Sequence, residues 1–344
     1  MTNTQLSTAQ KQFSQGNPIK KRSSNVEMLR FILIFFVVLL HAGMNNIQFS
    51  VPCFIVITGY FSINQTKNRF LHNFCNYIVF WFIAFLLFLI FFLVSHEQLE
   101  IFPYMTKFWP PGYMFFDVDG VWWYYICYLF LSLIMPLLNA GIRAVKKEYL
   151  LLVIAVAFLL TNFNHWAGGE DPTSNVENIF YMVCMYTIGA GIKLHVSVKN
   201  KWVVISSVIA LVVTGGIGFS SIYWNNQNAA WFFTFNSQNT ITVIIFAISL
   251  FILTLNVNVP YSKIINFLGA STMFIFLYHN GFHRIFNYYI FSDYSHYKWI
   301  FARAAFSFLL SFIFACALYV PTRVTTNYLK MLFEKCGAKI RNHL

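Results

Sequence analysis

The chain has 344 residues, of which 58% are hydrophobic, 20% aromatic and only 10% charged. A soluble domain is roughly a quarter charged, so a water-soluble globular enzyme is excluded and a polytopic membrane protein is indicated. The net charge of +12 would suit a nucleic-acid binder, but the basic residues fall between apolar runs, where they report membrane orientation.

Met1 to Ser24 is polar. It has no apolar core and no small-residue cleavage site, so a cleavable signal peptide is not expected and the first helix should act as an uncleaved anchor. Asn25 to Phe61 follows, an apolar run interrupted by Glu27, Arg30 and His41. The step from Arg30 to His41 is eleven residues, almost a whole number of turns at 3.6 per turn, and Glu27 lies one turn before Arg30. One stripe of this helix therefore carries an acid, a guanidinium and an imidazole. Ionisable groups at membrane depth are costly and face protein or a water-filled cavity. Arg30 can instead snorkel to an interface with Glu27 as its partner. His41, about 16 Å further along the axis, is harder to account for that way, although a packing or hinge role stays open.

Apolar runs of helical length predict ten spans, at about 27–45, 47–63, 73–95, 120–142, 148–163, 177–195, 201–222, 237–256, 262–282 and 298–321. With the N-terminus in the cytoplasm and sides alternating, all of the 23 Lys and Arg except Lys107, Arg284, Lys298 and Arg303 fall inside. Of the 11 acids, all except Glu27, Glu148 and Glu334 fall outside. This positive-inside bias supports an all-α integral membrane protein of about ten transmembrane helices with both termini cytoplasmic. The chain then divides into a polar tail at 1–24, a membrane domain at 25–322 and a basic cytoplasmic tail at 323–344.

The outer connections, His96 to Gly120, Asn164 to Asn178 and Ile222 to Gln238, are rich in aromatics, amides and carboxylates. Such surfaces suit sugar rings, although an interfacial aromatic belt uses the same residues. The six cysteines form no C-x-x-C pair, so neither a disulfide framework nor a zinc site is expected. His279 and His283 are four apart without a third ligand nearby in sequence, and no metal site is expected; His279 lines a cavity or bonds a neighbouring helix. No nucleophile elbow, phosphate-binding loop, dinucleotide fingerprint or H-E-x-x-H occurs.

The E-x-L-R stretch with Arg30-x10-His41, followed at once by Phe54-I-V-I-T-Gly59-Tyr60-Phe61, resembles acyltransferase family 3, the integral-membrane O-acyltransferases. Thr58 stands where that family more often has Ser. The fourth segment is similar to the family's Trp/Tyr…Pro stretch, with Trp123, Tyr124, Tyr128, Pro136 and Asn139 on matching positions. The ninth, F-L-G-A-S-T-M-F-I-F-L-Y-H, resembles its Ser…Tyr…His segment at Ser271, Tyr278 and His279. The likeness runs from Asn25 to about Pro321 and is diffuse between the fifth and eighth segments.

The resemblance implies a cell-membrane enzyme that moves an acyl group, acetyl above all, from cytosolic acyl-CoA to a hydroxyl of a cell-surface or exopolysaccharide or its lipid-linked precursor. Acyl-CoA would be a co-substrate, with no bound cofactor and no nucleic-acid partner. His41 with Glu27 would be catalytic, and His41 would act as general base or carry the acyl group covalently. Arg30, Lys67 and Arg69 would bind the donor. Trp123, Tyr124, Ser271, Tyr278 and His279 would line the acceptor site or cavity. A transporter or flippase for lipid-linked oligosaccharide is the alternative, although the inverted repeats common in transporters are not visible.

Overall fold

The computed structural model describes residues 23–44, 47–65, 68–95, 122–166, 179–223, 237–289 and 299–341. Among them are ten helices and no strand: α1 Ser24–His41, α2 Ser50–Ser62, α3 Phe70–Ser95, α4 Trp123–Ala144, α5 Lys147–Trp166, α6 Ile179–His195, α7 Lys201–Tyr223, α8 Ile241–Asn256, α9 Lys263–Tyr289 and α10 Ile300–Arg341. The N-terminal tail, Lys67 and most of the three aromatic connections lie outside the described residues.

Five helices contain an apolar stretch long enough to cross a bilayer: α1, α3, α4, α7 and α10. Three more apolar helices, α2, α6 and α8, are shorter. The 13 residues of α2 rise only about 20 Å, less than a hydrocarbon core of about 30 Å. The surface is what lipid requires. Helix α7 exposes Trp202, Ile205, Val208, Ile209, Val212 and Val213, and α10 exposes Phe301, Leu309, Ile313, Val320 and Val324.

Without an oil–water difference to hold helices together in lipid, close contact between small residues does that work. Helices α2 and α6 cross at a reciprocal pair of glycines. A side chain on Gly59 would overlap the Tyr186 carbonyl, and one on Gly189 would overlap the Val56 carbonyl. Each glycine thus admits the backbone of the opposite helix. Near this crossing the end of α2 is tied down by α4. Asn139 Nδ2 donates to the Ser62 and Gln65 carbonyls at 2.8 and 3.3 Å, and Tyr186 Oη donates to Asn139 Oδ1 at 2.6 Å. Arg143 adds a bond to the Ile63 carbonyl. The orphan carbonyls of a helix C-terminus are met by side chains from another helix.

Helix α1 is central, packed against α2, α8, α9 and α10. Its start is fixed by Asn25, whose Nδ2 donates to the Thr254 and Val257 carbonyls at the end of α8. Ser24 Oγ accepts from the Ser262 N–H just before α9. The buried face of α1 includes Leu29, Leu33, Ile34, Val37 and Val38. Its end is a Schellman turn: Gly43 N–H donates to Leu40 O and Met44 N–H to Leu39 O. Gly43 has φ 116°, a conformation that only glycine adopts freely. His41 is therefore the last residue of α1, one step before the stop.

Helix α10 departs from the expected span at 298–321. It continues through Pro321 to Arg341, 42 residues in all, or about 63 Å. The segment expected as a basic tail is helical, and it packs beside the start of α3, where Phe333 meets Phe74 with ring centroids 6.4 Å apart. Helix α4 likewise runs unbroken through Pro136.

Candidate active site

The polar stripe of α1 divides into two sites. In its first turns Arg30 Nη1 lies 3.1 Å from Glu27 Oε1. Glu27 is only 4% exposed, and a buried carboxylate needs a charge partner to stay ionised. Gly269 of α9 makes room for it. A Cβ at that position would overlap Glu27 Oε2 and come within 2.9 Å of the Glu27 Cα. The carboxylate is clamped between α1 and α9 and in turn sets the direction of the guanidinium.

Arg30 faces a cavity of about 790 Å³, within the size range of pockets that bury whole ligands. Its walls come from α1, α2, α3, α4, α9 and α10. Its polar lining includes Tyr124, Tyr125 and Tyr128 of α4, His72, Asn73 and Asn76 of α3, and Lys263, Asn266, Thr322, Arg323 and Asn327 of α9 and α10. Among the described residues no carboxylate lines it. The cavity is basic and amide-rich.

At the far end of α1, His41 Nδ1 lies 2.6 Å from His279 Nε2, with the two rings nearly coplanar at 5°. The proton positions follow from the neighbours. His279 Nδ1 faces the carbonyls of Ile275 at 3.0 Å and Phe276 at 2.8 Å, so it carries a proton. In the neutral ring Nε2 is then an acceptor, and His41 Nδ1–H donates to it. His41 Nε2 is left with its lone pair. His279 is fully buried while His41 is exposed, so the imidazole that holds the base faces outward and the one that orients it faces the core.

A third imidazole holds this arrangement in place. His283, also buried, donates from Nε2 to the Val38 carbonyl at 3.1 Å and accepts at Nδ1 from Ser307 Oγ at 2.8 Å. It ties α9 to both α1 and α10, one turn from His279. The nitrogens of His279 and His283 are thus engaged, and among the described residues no group of three or more His, Cys, Asp or Glu gathers as a metal site.

The other sequence candidates are distributed as follows. Tyr124 lines the cavity and packs on Phe276 at 5.1 Å. Trp123 stands edge-on to Tyr124, outside the cavity wall. Tyr278 donates its hydroxyl to the Phe80 carbonyl at 2.9 Å. Ser271 is fully buried and bonds the Leu268 carbonyl of its own helix, while its neighbours Ala270 and Thr272 face the cavity. Arg69 is exposed and forms no part of the wall, and Lys67 lies outside the described residues. The cations that do line the cavity beside Arg30 are Lys263 and Arg323. Sequence reasoning singled out neither of them.

Cavity and imidazole pair do not merge. Phe80, Tyr124, Phe274, Phe276 and Tyr278 are all buried; Phe80, Phe274 and Tyr278 are in mutual ring contact, and Tyr124 packs on Phe276. Phe276 continues to His279 at 6.2 Å. An aromatic layer separates the basic cavity from the base.

These features define an all-helical membrane protein with a charged cavity at one end of its central helix and an oriented imidazole base at the other. The chain belongs to acyltransferase family 3: the family model described as an acyltransferase domain matches residues 23–320, and the protein is an acyltransferase. No curated protein and no solved structure matches.

Proposed function

We propose that the enzyme transfers an acyl group, most simply acetyl, from cytosolic acyl-CoA to a hydroxyl of a cell-surface polysaccharide or its lipid-linked precursor. The observation that carries this reading is the tautomer chain from the Ile275 and Phe276 carbonyls through His279 to His41, which leaves His41 Nε2 as a fixed base. The acceptor oxygen attacks the thioester carbonyl as Nε2 takes its proton; the new C–O bond forms, the C–S bond breaks, and the leaving thiolate recovers a proton from the imidazolium. His279 stabilises that imidazolium by accepting from Nδ1–H, and its burial keeps the accepting nitrogen from water.

Arg30 sits on the donor side, held by Glu27. A topology of about ten spans with both termini cytoplasmic, which the positive-inside pattern supports, would turn the Arg30 cavity toward the cytosol and His41 toward the opposite face. Donor and acceptor then approach from different sides, and the thioester end of the donor crosses the aromatic layer to reach the base. A glycan acceptor is supported by the aromatic and amide-rich sequences of 96–120, 164–178 and 222–238, expected from charge to be outer connections.

The test is transfer of labelled acetyl from acetyl-CoA to surface glycan in proteoliposomes. General-base catalysis is worth about a hundred- to ten-thousand-fold, so His41→Gln, which keeps hydrogen bonding without comparable basicity, should lose at least about 99% of turnover while inserting normally. Retention of a tenth or more of wild-type turnover, far above that expectation, would leave His41 a structural residue.

A further inference from the structure

The cavity carries a second feature that the ion pair on α1 does not explain. Asn266 is buried, 9% exposed, and neither its amide nitrogen nor its amide oxygen has a hydrogen-bond partner in the protein. The same holds for Thr322 Oγ1, in a residue 4% exposed, and for Asn73 Nδ2, in a residue 9% exposed. All three residues line the one cavity, as do Lys263 and Arg323. A buried donor left unmade costs the desolvation of that group, so unpartnered polar groups converging on one space point to a ligand that supplies the missing bonds. The groups define its chemistry. Amide and hydroxyl donors beside an ammonium and a guanidinium, with no carboxylate among the described lining residues, suit phosphate oxygens.

We propose that Lys263, Asn266, Thr322 and Arg323, with Asn73 opposite, form the site for the phosphate-bearing nucleotide end of the acyl-CoA donor, in place of Lys67 and Arg69. This rests on the acyl-CoA reading above and deepens it. The site is built where α9 begins and where α10 continues past Pro321. The prolonged helix therefore has a use: its first turn beyond the proline carries Thr322 and Arg323 into the wall. Arg30 lies deeper, toward the aromatic layer, and is left for the part of the donor nearer the thioester. The tyrosines Tyr124, Tyr125 and Tyr128 flank the path between.

The same phosphate chemistry is offered by a nucleotide and by an anionic lipid headgroup, and a truncated donor separates them. S-acetylpantetheine has the thioester and pantetheine arm of acetyl-CoA but no phosphate. The full chain is reconstituted in vesicles of phosphatidylcholine alone and of phosphatidylcholine with phosphatidylglycerol, and KM is measured for both donors. In both vesicles the Lys263→Ala/Arg323→Ala double variant should raise KM for acetyl-CoA about tenfold or more, as expected for lost charge-assisted bonds, with kcat little changed. On S-acetylpantetheine the rise should be under about twofold, since the lost partners have nothing to bind. Asn266→Asp, which sets a carboxylate against phosphate, should raise KM for acetyl-CoA further than Asn266→Ala does. Lys263 and Arg323 are exposed, and activity on the truncated donor shows that the variants fold. Equal KM changes for the two donors would overturn the assignment, as would a defect confined to vesicles containing phosphatidylglycerol, which marks a lipid headgroup site. A wild-type chain inactive with either donor would overturn the acyl-CoA reading itself, whereas an active wild type with unshifted variants overturns only this site.

Discussion

Replacing Gly269 by alanine tests the claim that α1 and α9 act as one rigid frame for the chemistry. The added methyl would meet the Glu27 Cα at 2.9 Å and overlap its Cβ and carboxylate. A backbone neighbour cannot rotate away, so the helices must separate by roughly 1 Å to restore ordinary contact at about 3.5–4.0 Å. Overpacking of this kind costs about 1–3 kcal/mol, offset by about 1 kcal/mol of helix propensity gained over glycine. The net stability loss is therefore small, on the order of 1 kcal/mol. The functional loss is larger. The same two helices hold His41 Nδ1 and His279 Nε2 at 2.6 Å, and an added ångström puts that contact beyond a sound hydrogen bond. A misplacement of about 1 Å costs roughly a hundredfold in rate. Gly269→Ala should thus melt within a few degrees of wild type in detergent yet lose about 99% of acetyl transfer. Gly216 has nothing within 4 Å of the equivalent position, and Gly216→Ala is the matched control, expected to be active. Wild-type turnover in Gly269→Ala would refute the coupling of this crossing to the base.

Two further outcomes follow from buried polar bonds. Arg30→Ala should weaken donor binding and also destabilise the fold, because it removes the 3.1 Å ion pair of the buried Glu27; adding Glu27→Gln should recover part of the stability but not donor affinity, and Arg30→Lys should restore affinity only in part because the planar fork is lost. Asn139→Leu strips the Ser62 and Gln65 carbonyls and the Tyr186 hydroxyl of their partner. At about 1–3 kcal/mol per stranded buried group it should lower the melting temperature more than Gly269→Ala does.

Much of α1 was legible in the sequence. The stripe of Glu27, Arg30 and His41 follows from helical spacing, and the Glu27–Arg30 pair is a contact between neighbouring turns. Most helix limits were legible to within a few residues; the exceptions are the ends of α9 and α10, which run on past the apolar stretch to Tyr289 and Arg341, because a helix need not stop where its hydrophobic run does. The partnership of His41 with His279 was not legible as a pair, because 238 residues separate them and only the packing of α1 on α9 brings them together. The cations of the cavity were hidden for a different reason. In the sequence Lys263 and Arg323 flank apolar spans, where orientation alone places lysine and arginine, so their charge carries no mark of a site. What distinguishes them is the company of unpartnered Asn266 and Thr322, a property of the folded chain and not of composition. Asn266 and Thr322 are themselves ordinary helix residues in sequence.

The separation of cavity and base bears on why the fold needs its glycines where it has them. A carboxylate and a guanidinium can be held in an apolar bundle only if neighbouring backbones come close enough to enclose them, and Gly269 provides that approach at one end of α1. Gly59 and Gly189 provide it for α2 against α6, and α2 supplies Phe54 and Thr58 to the cavity wall. Gly43 stops α1 immediately after its imidazole; were the helix to continue, His41 would become an interior residue of a longer rod instead of the exposed end of one. Gly269 and Gly43 thus set the surroundings of Glu27 and His41 directly, while Gly59 and Gly189 hold in place a helix that walls the cavity. The aromatic layer between the two sites then has a mechanistic consequence. On the acyl-CoA reading proposed above, the thioester would reach His41 only with the donor extended and its phosphates in the basic cavity, so the separation between Arg30 and His41 would favour a donor with a long, narrow arm between its charged and reactive ends.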